Sequence, residues 1–287
     1  MEIAEYGSVA TVNETASELR TLFTEVEEYF DGGAVLAAGS TVVDVGANIG
    51  AFAIAAARRC QRDLRLICCE PVPALFRALS DNLQKNRWLA GGNHQALNIA
   101  LATEAEAGKT CDFYYFRRFP RDSTMDIAGK RREFEAFFAA QGARVAKSLG
   151  FLGMGARLVE RTIAGLPQGP VGEWLTDRVT GLETTQVPMD TLSNVLRQKK
   201  VSRVDLLKVD VEGAELKVLS GIDAATWPKI RQVAIECDGT EERTRDLLEL
   251  LSAHGFASVK KFEPPTTLER GLPNLLLHGM NSLPLAA

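Results

Sequence analysis

The sequence predicts an α/β protein built on a doubly wound, mainly parallel sheet, and three observations carry that expectation. Short apolar runs alternate with amphipathic helical stretches between residues 41 and 101 and again between 204 and 280. A glycine-bearing turn, Gly46-Ala47-Asn48-Ile49-Gly50, follows directly on the first of these apolar runs. Acidic residues stand at strand ends, with Asp44 in the first strand and Glu70 just after the second. Strand and helix alternating at this rhythm argue for βαβ units, whose ligands bind beyond the carboxyl ends of the strands.

In chain order, the first element is a helix from about Glu14 to Phe30. Ala16, Leu19, Phe23, Val26 and Phe30 recur at spacings of three and four and form one apolar stripe. Thr11 and Glu14 are placed to form its capping box, and Asp31-Gly32-Gly33 ends it. Thr41–Val45 reads as a strand, Ala51–Arg59 as an alanine-rich helix and Leu64–Cys69 as a second strand. Ala74–Asn86 follows as a helix with Leu75, Ala78, Leu79 and Leu83 on one side, and Gln95–Leu101 as a third strand. After the aromatic strand Cys111–Phe116 the rhythm stops. Between Arg117 and about Thr180 only helical pieces are legible, around Arg131–Ala140 and Ala156–Ile163, broken by Gly150, Gly153, Gly155 and the stretch Leu166-Pro167-Gln168-Gly169-Pro170. So long a segment between regular elements points to a functional lid, and Phe134, Phe137, Phe138, Phe151 and Trp174 argue that it is ordered. Alternation resumes with strand Val204–Val209, helix Ala214–Leu219, strand Gln232–Cys237 and helix Glu241–His254, and closes with strands Ala257–Phe262 and Leu275–Met280.

The expected organisation is one domain: an N-terminal helical cap (1–38), a ligand-binding half (39–116), a helical lid insertion (117–181) and the second half of the sheet (182–287). A chain of 287 residues buries a sizeable core, and one domain with insertions fits it better than two equal ones. Thirty-three basic against 37 acidic residues leave no overall electrostatic footprint for nucleic acid. The basic cluster from Arg117-Arg118 to Arg131-Arg132 is interrupted by acids and reads as a solvated helix face. Five cysteines without a C-x-x-C spacing, Cys60, Cys68, Cys69, Cys111 and Cys237, argue for a reducing compartment, and Cys68, Cys69 and Cys237, inside apolar runs, read as small buried side chains. The N-terminal residues lack a basic region followed by an apolar one, and no apolar run is long enough to span a bilayer, so the expected location is the cytoplasm with no membrane contact.

The glycine loop is Gly46-x-x-x-Gly50, not the dinucleotide fingerprint G-x-G-x-x-G. Asp44, two residues before Gly46, suits a cationic group such as an α-amino group rather than a pyrophosphate. Glu70 stands where an acid accepts hydrogen bonds from both hydroxyls of a ribose. A nucleoside that carries an amino acid and no phosphate is S-adenosylmethionine, and Gly46, Ala47, Asn48, Gly50 and Pro71 complete the expected cofactor turns. Asn98, in Asn98-Ile99-Ala100-Leu101, is either a hydrogen-bond partner of the adenine edge or a turn residue.

Three blocks, Val43-Asp44-Val45-Gly46-Ala47-Asn48-Ile49-Gly50, Glu70-Pro71 and Leu207-Lys208-Val209-Asp210-Val211-Glu212-Gly213-Ala214-Glu215, resemble the FkbM-type methyltransferases. The resemblance covers roughly 42–101 and 187–238 and is most specific in the Lys208–Glu215 block. It implies a Rossmann-like class I methyltransferase fold, with a seven-stranded mixed sheet whose last strand is antiparallel. It further implies methylation of hydroxyl groups on polyketides, peptides or sugars of secondary metabolism. Tyr114-Tyr115-Phe116-Arg117 with Asp122-Ser123-Thr124-Met125 is similar to the segment that leads into the lid of polyketide-associated O-methyltransferases, and the likeness implies that Ser123 and Thr124 close over the cofactor. Such enzymes often carry a histidine two residues after the glutamate of an Ile-Glu strand; here Asp238 of Ile235-Glu236-Cys237-Asp238 holds that place.

Methyl transfer to a hydroxyl requires alignment and removal of one proton. Asp210, Glu236, Glu212 and Asp238, at or two residues beyond strand ends, are the candidate proton acceptors. Lys208 shares a strand face with Asp210 and is expected either to stabilise the developing alkoxide or to form an ion pair. Some of these oxygens could instead hold Mg²⁺, though no ligand spacing demands a metal. Of His94, His254 and His278, only His278 is a candidate base. The sequence therefore points to an O-methyltransferase acting on a small-molecule or acyl-carrier-bound substrate. The alternatives are methylation of nitrogen or carboxyl groups on the same fold, or a protein that binds the cofactor without turnover.

Overall fold

The computed structural model describes residues 1–134, 170–266 and 274–282. A short hairpin, β1 (Glu2–Ile3) and β2 (Gly7–Ser8), precedes helix α1 (Ala16–Asp31). Leu19, Phe23, Val26, Glu28 and Tyr29 of α1 are buried. The capping box is formed by Thr15 and Glu18, not Thr11 and Glu14: Thr15 Oγ1 accepts from the Glu18 amide and the Glu18 carboxylate accepts from the Thr15 amide. Glu14 is diverted, since its carboxylate accepts from the amides of Val12 and Asn13.

The main sheet is assembled from β3 (Ser40–Val45), β4 (Leu64–Cys69), β5 (Asn93–Leu97), β9 (Leu206–Val209), β10 (Gln232–Cys237), β11 (Ser258–Phe262) and β12 (Leu275–Met280). Its seven strands run in the order β11-β12-β10-β9-β3-β4-β5. β12 is antiparallel to both neighbours, whereas the pairings of β9 with β10, of β3 with β9 and β4, and of β4 with β5 are parallel. This is the mixed sheet of the Rossmann-like class I methyltransferase fold. The central strands β3, β4 and β9 are covered on both faces and therefore read as continuous apolar runs instead of alternating ones. α2 (Ala51–Arg59) has seven successive buried residues, Ala51 to Ala57, as expected of a helix enclosed on all sides. α3 (Pro73–Lys85) begins on a proline at its first position, where no amide donor is lost.

The third predicted strand breaks in two. β5 ends at Leu97, and β6 (Ala100–Leu101) pairs instead with β8 (Leu182–Asp190) in a separate three-stranded sheet of order β6-β8-β7, where β7 is Thr110–Phe116. The break falls at Asn98, whose side-chain amide donates to the carbonyls of Glu70 and Pro71 at 2.8 Å each. β8 and the helix after it have no counterpart in the sequence reading. β8 buries only Val187 and Met189 and contains Pro188, which removes a ladder donor and blurs the strand signature.

The chain divides into a larger unit, Met1–Phe113 with Thr185–Ala287, and a smaller one, Tyr114–Thr184. Within the smaller unit, residues 127–134 are helical and α4 (Pro170–Thr180) is the second described helix. Arg131 pairs there with Asp177 at 2.5 Å and Glu173 at 3.1 Å, and Arg117 with Glu183 at 3.0 Å, so these members of the basic cluster are charge-compensated. Trp174 is 60% exposed. The expected helical stretches beyond residue 134, with Phe137, Phe138 and Phe151, lie outside the described residues. The remaining helices of the larger unit are α5 (Leu192–Gln198), α6 (Glu215–Ser220) and α7 (Glu241–Ala253). Among the described residues no helix is long and apolar enough to cross a membrane.

Candidate active site

The parallel register carries the site chemistry. Asp44 of β3 lies directly beside Lys208 of β9, and Lys208 beside Ala234 of β10. Residues two apart on a strand share a face. Asp210 therefore continues the Lys208 face beyond β9, and Glu236 continues the Ala234 face near the end of β10. Lys208 Nζ bridges the two aspartates, 3.1 Å from Asp44 Oδ1 and 3.3 Å from Asp210 Oδ2, and donates a 2.9 Å hydrogen bond to the Gly46 carbonyl.

Asp44 has no exposed surface, and the Lys208 ammonium, 3.1 Å from Oδ1, is its ionic partner. Burial raises its pKa, and Lys208 offsets part of the rise. Burial disfavours the Lys208 ammonium, but Asp210 and Asp44 more than compensate and hold it charged. An ammonium has three donors. Those of Lys208 face Gly46, Asp44 and Asp210, which leaves none for a substrate oxygen. Of the two expectations for Lys208, the ion pair is the one formed, as a buried bridge beneath the glycine loop.

The loop owes its shape to three left-handed residues, Gly46 (φ 74°), Asn48 (φ 51°) and Gly50 (φ 88°). At Gly46 the requirement is also steric: a Cβ there would sit 1.8 Å from the Asp210 carbonyl oxygen. The Gly46 and Ala47 amides donate to the Cys69 carbonyl, and the Asp210 amide to that of Val45. The ends of β3, β4 and β9 are thereby fixed to one another.

Glu70 is buried beside this loop. Its Oε2 accepts from the Asn48 amide and its Oε1 from the Val72 amide, both at 2.8 Å. Burial pushes its carboxyl up to about 7 against the opposing effect of those hydrogen bonds. Asn98 holds the Glu70-Pro71 turn from behind, and its side-chain nitrogen is committed to that task.

Glu236 is half-buried at the end of β10, with its carboxyl raised to about 7, first by burial and then by Asp210. It accepts hydrogen bonds from Tyr29 Oη and Asn274 Nδ2, each at 2.8 Å. Neither partner was singled out by sequence reasoning. The signal for Tyr29 was present, because it lies three residues after Val26 on the buried side of α1 and is a large ring with a polar tip. Asp238 is engaged elsewhere: Oδ1 accepts from Thr240 N and Oγ1, and Oδ2 pairs with Arg243 at 3.1 Å. It thus anchors the start of α7. Glu212 occupies the turn after β9 in a left-handed conformation (φ 51°), followed by Gly213 (φ 102°). The buried Glu215 closes this turn by accepting from the Gly213 amide.

Ser123 and Thr124 belong to the smaller unit. Ser123 Oγ donates to the Pro120 carbonyl, while Thr124 bridges Tyr114 through the backbone and accepts from the Asp126 amide. His278 is buried mid-strand in β12 against Gly33, His254 stacks on Trp227 with ring centroids 4.4 Å apart, and His94 lies on edge strand β5. Among the described residues no cluster of three or more His, Cys, Asp or Glu side chains is arranged to hold a metal ion.

The profile of the Methyltransferase FkbM domain matches residues 44–258, a span that contains the glycine loop, Glu70, the Lys208–Glu215 block and Glu236. The chain belongs to the FkbM methyltransferase family. It is 32% identical over 260 residues to 31-O-demethyl-FK506 methyltransferase FkbM of Streptomyces tacrolimicus, covering 90% of this chain and 88% of that one. Methyltransferase sdnD of Sordaria araneosa is 30% identical over 203 residues, 68% of this chain and 65% of its own. AMB antimetabolite synthetase AmbE of Pseudomonas aeruginosa is 31% identical over 257 residues, which amount to 85% of this chain but only 11% of the synthetase. This FkbM-family chain is accordingly an S-adenosylmethionine-dependent methyltransferase. The site fits such a cofactor in its donor set: a glycine turn with no room for a Cβ, a buried acid after the second strand and an excess of carboxylates around one ammonium.

Proposed function

We propose that this enzyme methylates a hydroxyl group of a small natural-product intermediate, free or carried on an acyl-carrier domain, with Glu236 as the proton acceptor. The observation that carries this reading is the placing of Glu236, held at the carboxyl end of β10 by Tyr29 and Asn274, where burial pushes its carboxyl up to about 7. A base is most effective when its pKa lies near the working pH. The name of the Streptomyces relative specifies an oxygen acceptor, and the AmbE relative is a synthetase, which agrees with a small or carrier-bound product.

S-adenosylmethionine would supply an already activated methyl group. Gly46, Ala47, Asn48 and Gly50 would line its turn, with Glu70 receiving the ribose hydroxyls and Pro71 flanking them. Asp210, the more exposed of the two aspartates on Lys208, would receive the α-amino group, with Asp44 behind it.

The test is methyl transfer by the purified chain to matched acceptors bearing a hydroxyl, an amine or a carboxyl, with Glu236→Gln in parallel. Label on the hydroxyl acceptor, lost by at least about a hundredfold in the variant, is the expected outcome. Label confined to amine or carboxyl acceptors, or an undiminished variant, would overturn the reading.

A further inference from the structure

We propose that Tyr29 of the N-terminal helix is a positioning residue of the methyl-transfer site, acting with Asn274 to orient and tune the Glu236 carboxylate. The inference rests on the reading of Glu236 as proton acceptor and extends it to residues outside the matched span of the family, since Tyr29 precedes residue 44 and Asn274 follows residue 258.

The geometry is specific. Tyr29 Oη donates to one oxygen of Glu236 and Asn274 Nδ2 to the other, both at 2.8 Å, so the carboxylate plane is set from two sides. A carboxylate has further lone pairs, so two donors leave acceptor capacity for a substrate hydroxyl. The Tyr29 ring is itself held, buried and edge-on to Phe52 of α2 with centroids 5.5 Å apart. Lys208 Nζ stands 5.8 Å from the Tyr29 ring centroid and 6.0 Å from that of Phe52, so α1 also covers the ionic bridge. The preceding residue, Glu28, accepts from Thr266 N at 2.9 Å and Thr266 Oγ1 at 2.6 Å. Two successive residues of α1 therefore engage different parts of the larger unit, Glu28 the connection between β11 and β12 and Tyr29 the end of β10.

The charged and titratable groups facing Glu236 are Asp210 and Lys208 from β9 and its end, and Tyr29 from α1; Asp44 of β3 acts on Tyr29 from behind. Asp210 raises the Glu236 pKa, while Tyr29, Asn274 and Lys208 lower it. The phenol stays protonated, held well above its usual range first by burial and then by Asp210 and Glu236, so it is a constant donor. Loss of the Tyr29 hydroxyl therefore moves the Glu236 titration upward.

The experiment compares wild type, Tyr29→Phe, Asn274→Ala and Glu236→Gln as full-length chains. Phenylalanine retains the ring packing on Phe52, and equal melting temperatures confirm that the fold is kept. The Glu236 carboxyl is titrated by ¹³C NMR of glutamate-labelled protein, its resonance assigned by its absence in Glu236→Gln. Expected is an upward shift of roughly 0.5 to 1 pH unit in Tyr29→Phe and in Asn274→Ala, the worth of one hydrogen bond. With a hydroxyl acceptor, the Tyr29→Phe rate should fall about three- to tenfold at pH 6 and converge on wild type at pH 9, with KM for S-adenosylmethionine changed less than about twofold. An unshifted Glu236 titration, or a rate deficit equal at all pH values, would overturn the role of Tyr29. An active Glu236→Gln chain would instead overturn the reading of Glu236 as base, whatever the Tyr29 result.

Discussion

Replacing Lys208 by methionine tests the ionic bridge most directly, because it deletes one charge from a buried group of acids and keeps the side-chain length. In the wild type the ammonium lies 3.1 Å from Asp44 and 3.3 Å from Asp210, and it lowers the pKa of Asp44, Glu70 and Glu236. Removing one partner of a buried ion pair costs about 3–5 kcal/mol, since the remaining charge is left uncompensated. That cost depends on pH with a definite sign. A carboxyl whose folded pKa is raised holds its proton longer in the folded chain, so its penalty is full above the folded pKa and vanishes below the unfolded one. Without Lys208 the folded pKa values of Asp44, Glu70 and Glu236 rise further, and the variant takes up protons that the wild type does not. One extra proton between pH 8 and pH 6 recovers about 2.7 kcal/mol, at about 1.36 kcal/mol per pH unit. The deficit of Lys208→Met should thus be roughly 4 kcal/mol at pH 8 and between about 1 and 2 kcal/mol at pH 6. Urea unfolding of both proteins at the two pH values, with the slope checked for constancy, measures it. A deficit that is independent of pH, or that grows on acidification, would refute the bridge as the organising element of the site.

Three further outcomes follow from the same geometry. Burial pushes the Glu70 carboxyl up to about 7, so if its ionised form receives the ribose, affinity for S-adenosylmethionine should be full above pH 7 and fall towards about tenfold per pH unit below it. Calorimetry from pH 8 to 5.5 should show this slope, and Glu70→Gln should lack its contribution. Gly46→Ala would combine left-handed strain with a Cβ 1.8 Å from the Asp210 carbonyl, prying β3 from β9 at a cost above about 3 kcal/mol; a melting temperature unchanged from wild type would count against that contact. Burial, with a contribution from Lys260, lowers the folded pKa of His278. Its contribution to stability is therefore present above the unfolded value of about 6.5 and is lost as pH falls through the folded one. His278→Leu should lose less stability than wild type between pH 7 and 5, and parallel melting curves across that range would show that His278 is not the cause.

The balance of what was legible runs through individual residues. The glycine loop was readable because Gly46, Asn48 and Gly50 occupy left-handed backbone that few other residues adopt, a requirement written locally. The central strands β3, β4, β9 and β10 were readable because each is a short apolar run, and the antiparallel last strand came from the family likeness borne out by β12. β8 was missed because Pro188 and its polar neighbours weaken the local signal, and the break at Asn98 because its partners, the Glu70 and Pro71 carbonyls, are 28 and 27 residues away.

By itself, then, the sequence determined the α/β order, the turn after β3, the acids at strand ends and the family. Those properties depend on local backbone preference, hydrophobic period and short spacing. Only the tertiary structure decided how the acids are used. Asp44 and Lys208 are 164 residues apart, and the parallel pairing of β3 with β9 makes them neighbours in a buried bridge. Asp238 is claimed by Thr240 and Arg243, whereas Glu236 is met by Tyr29 across 207 residues of chain and by Asn274 across 38. Which carboxylate keeps a pKa near neutrality depends on burial and on the charges facing it. Both are set by strands and helices that meet only in the folded chain.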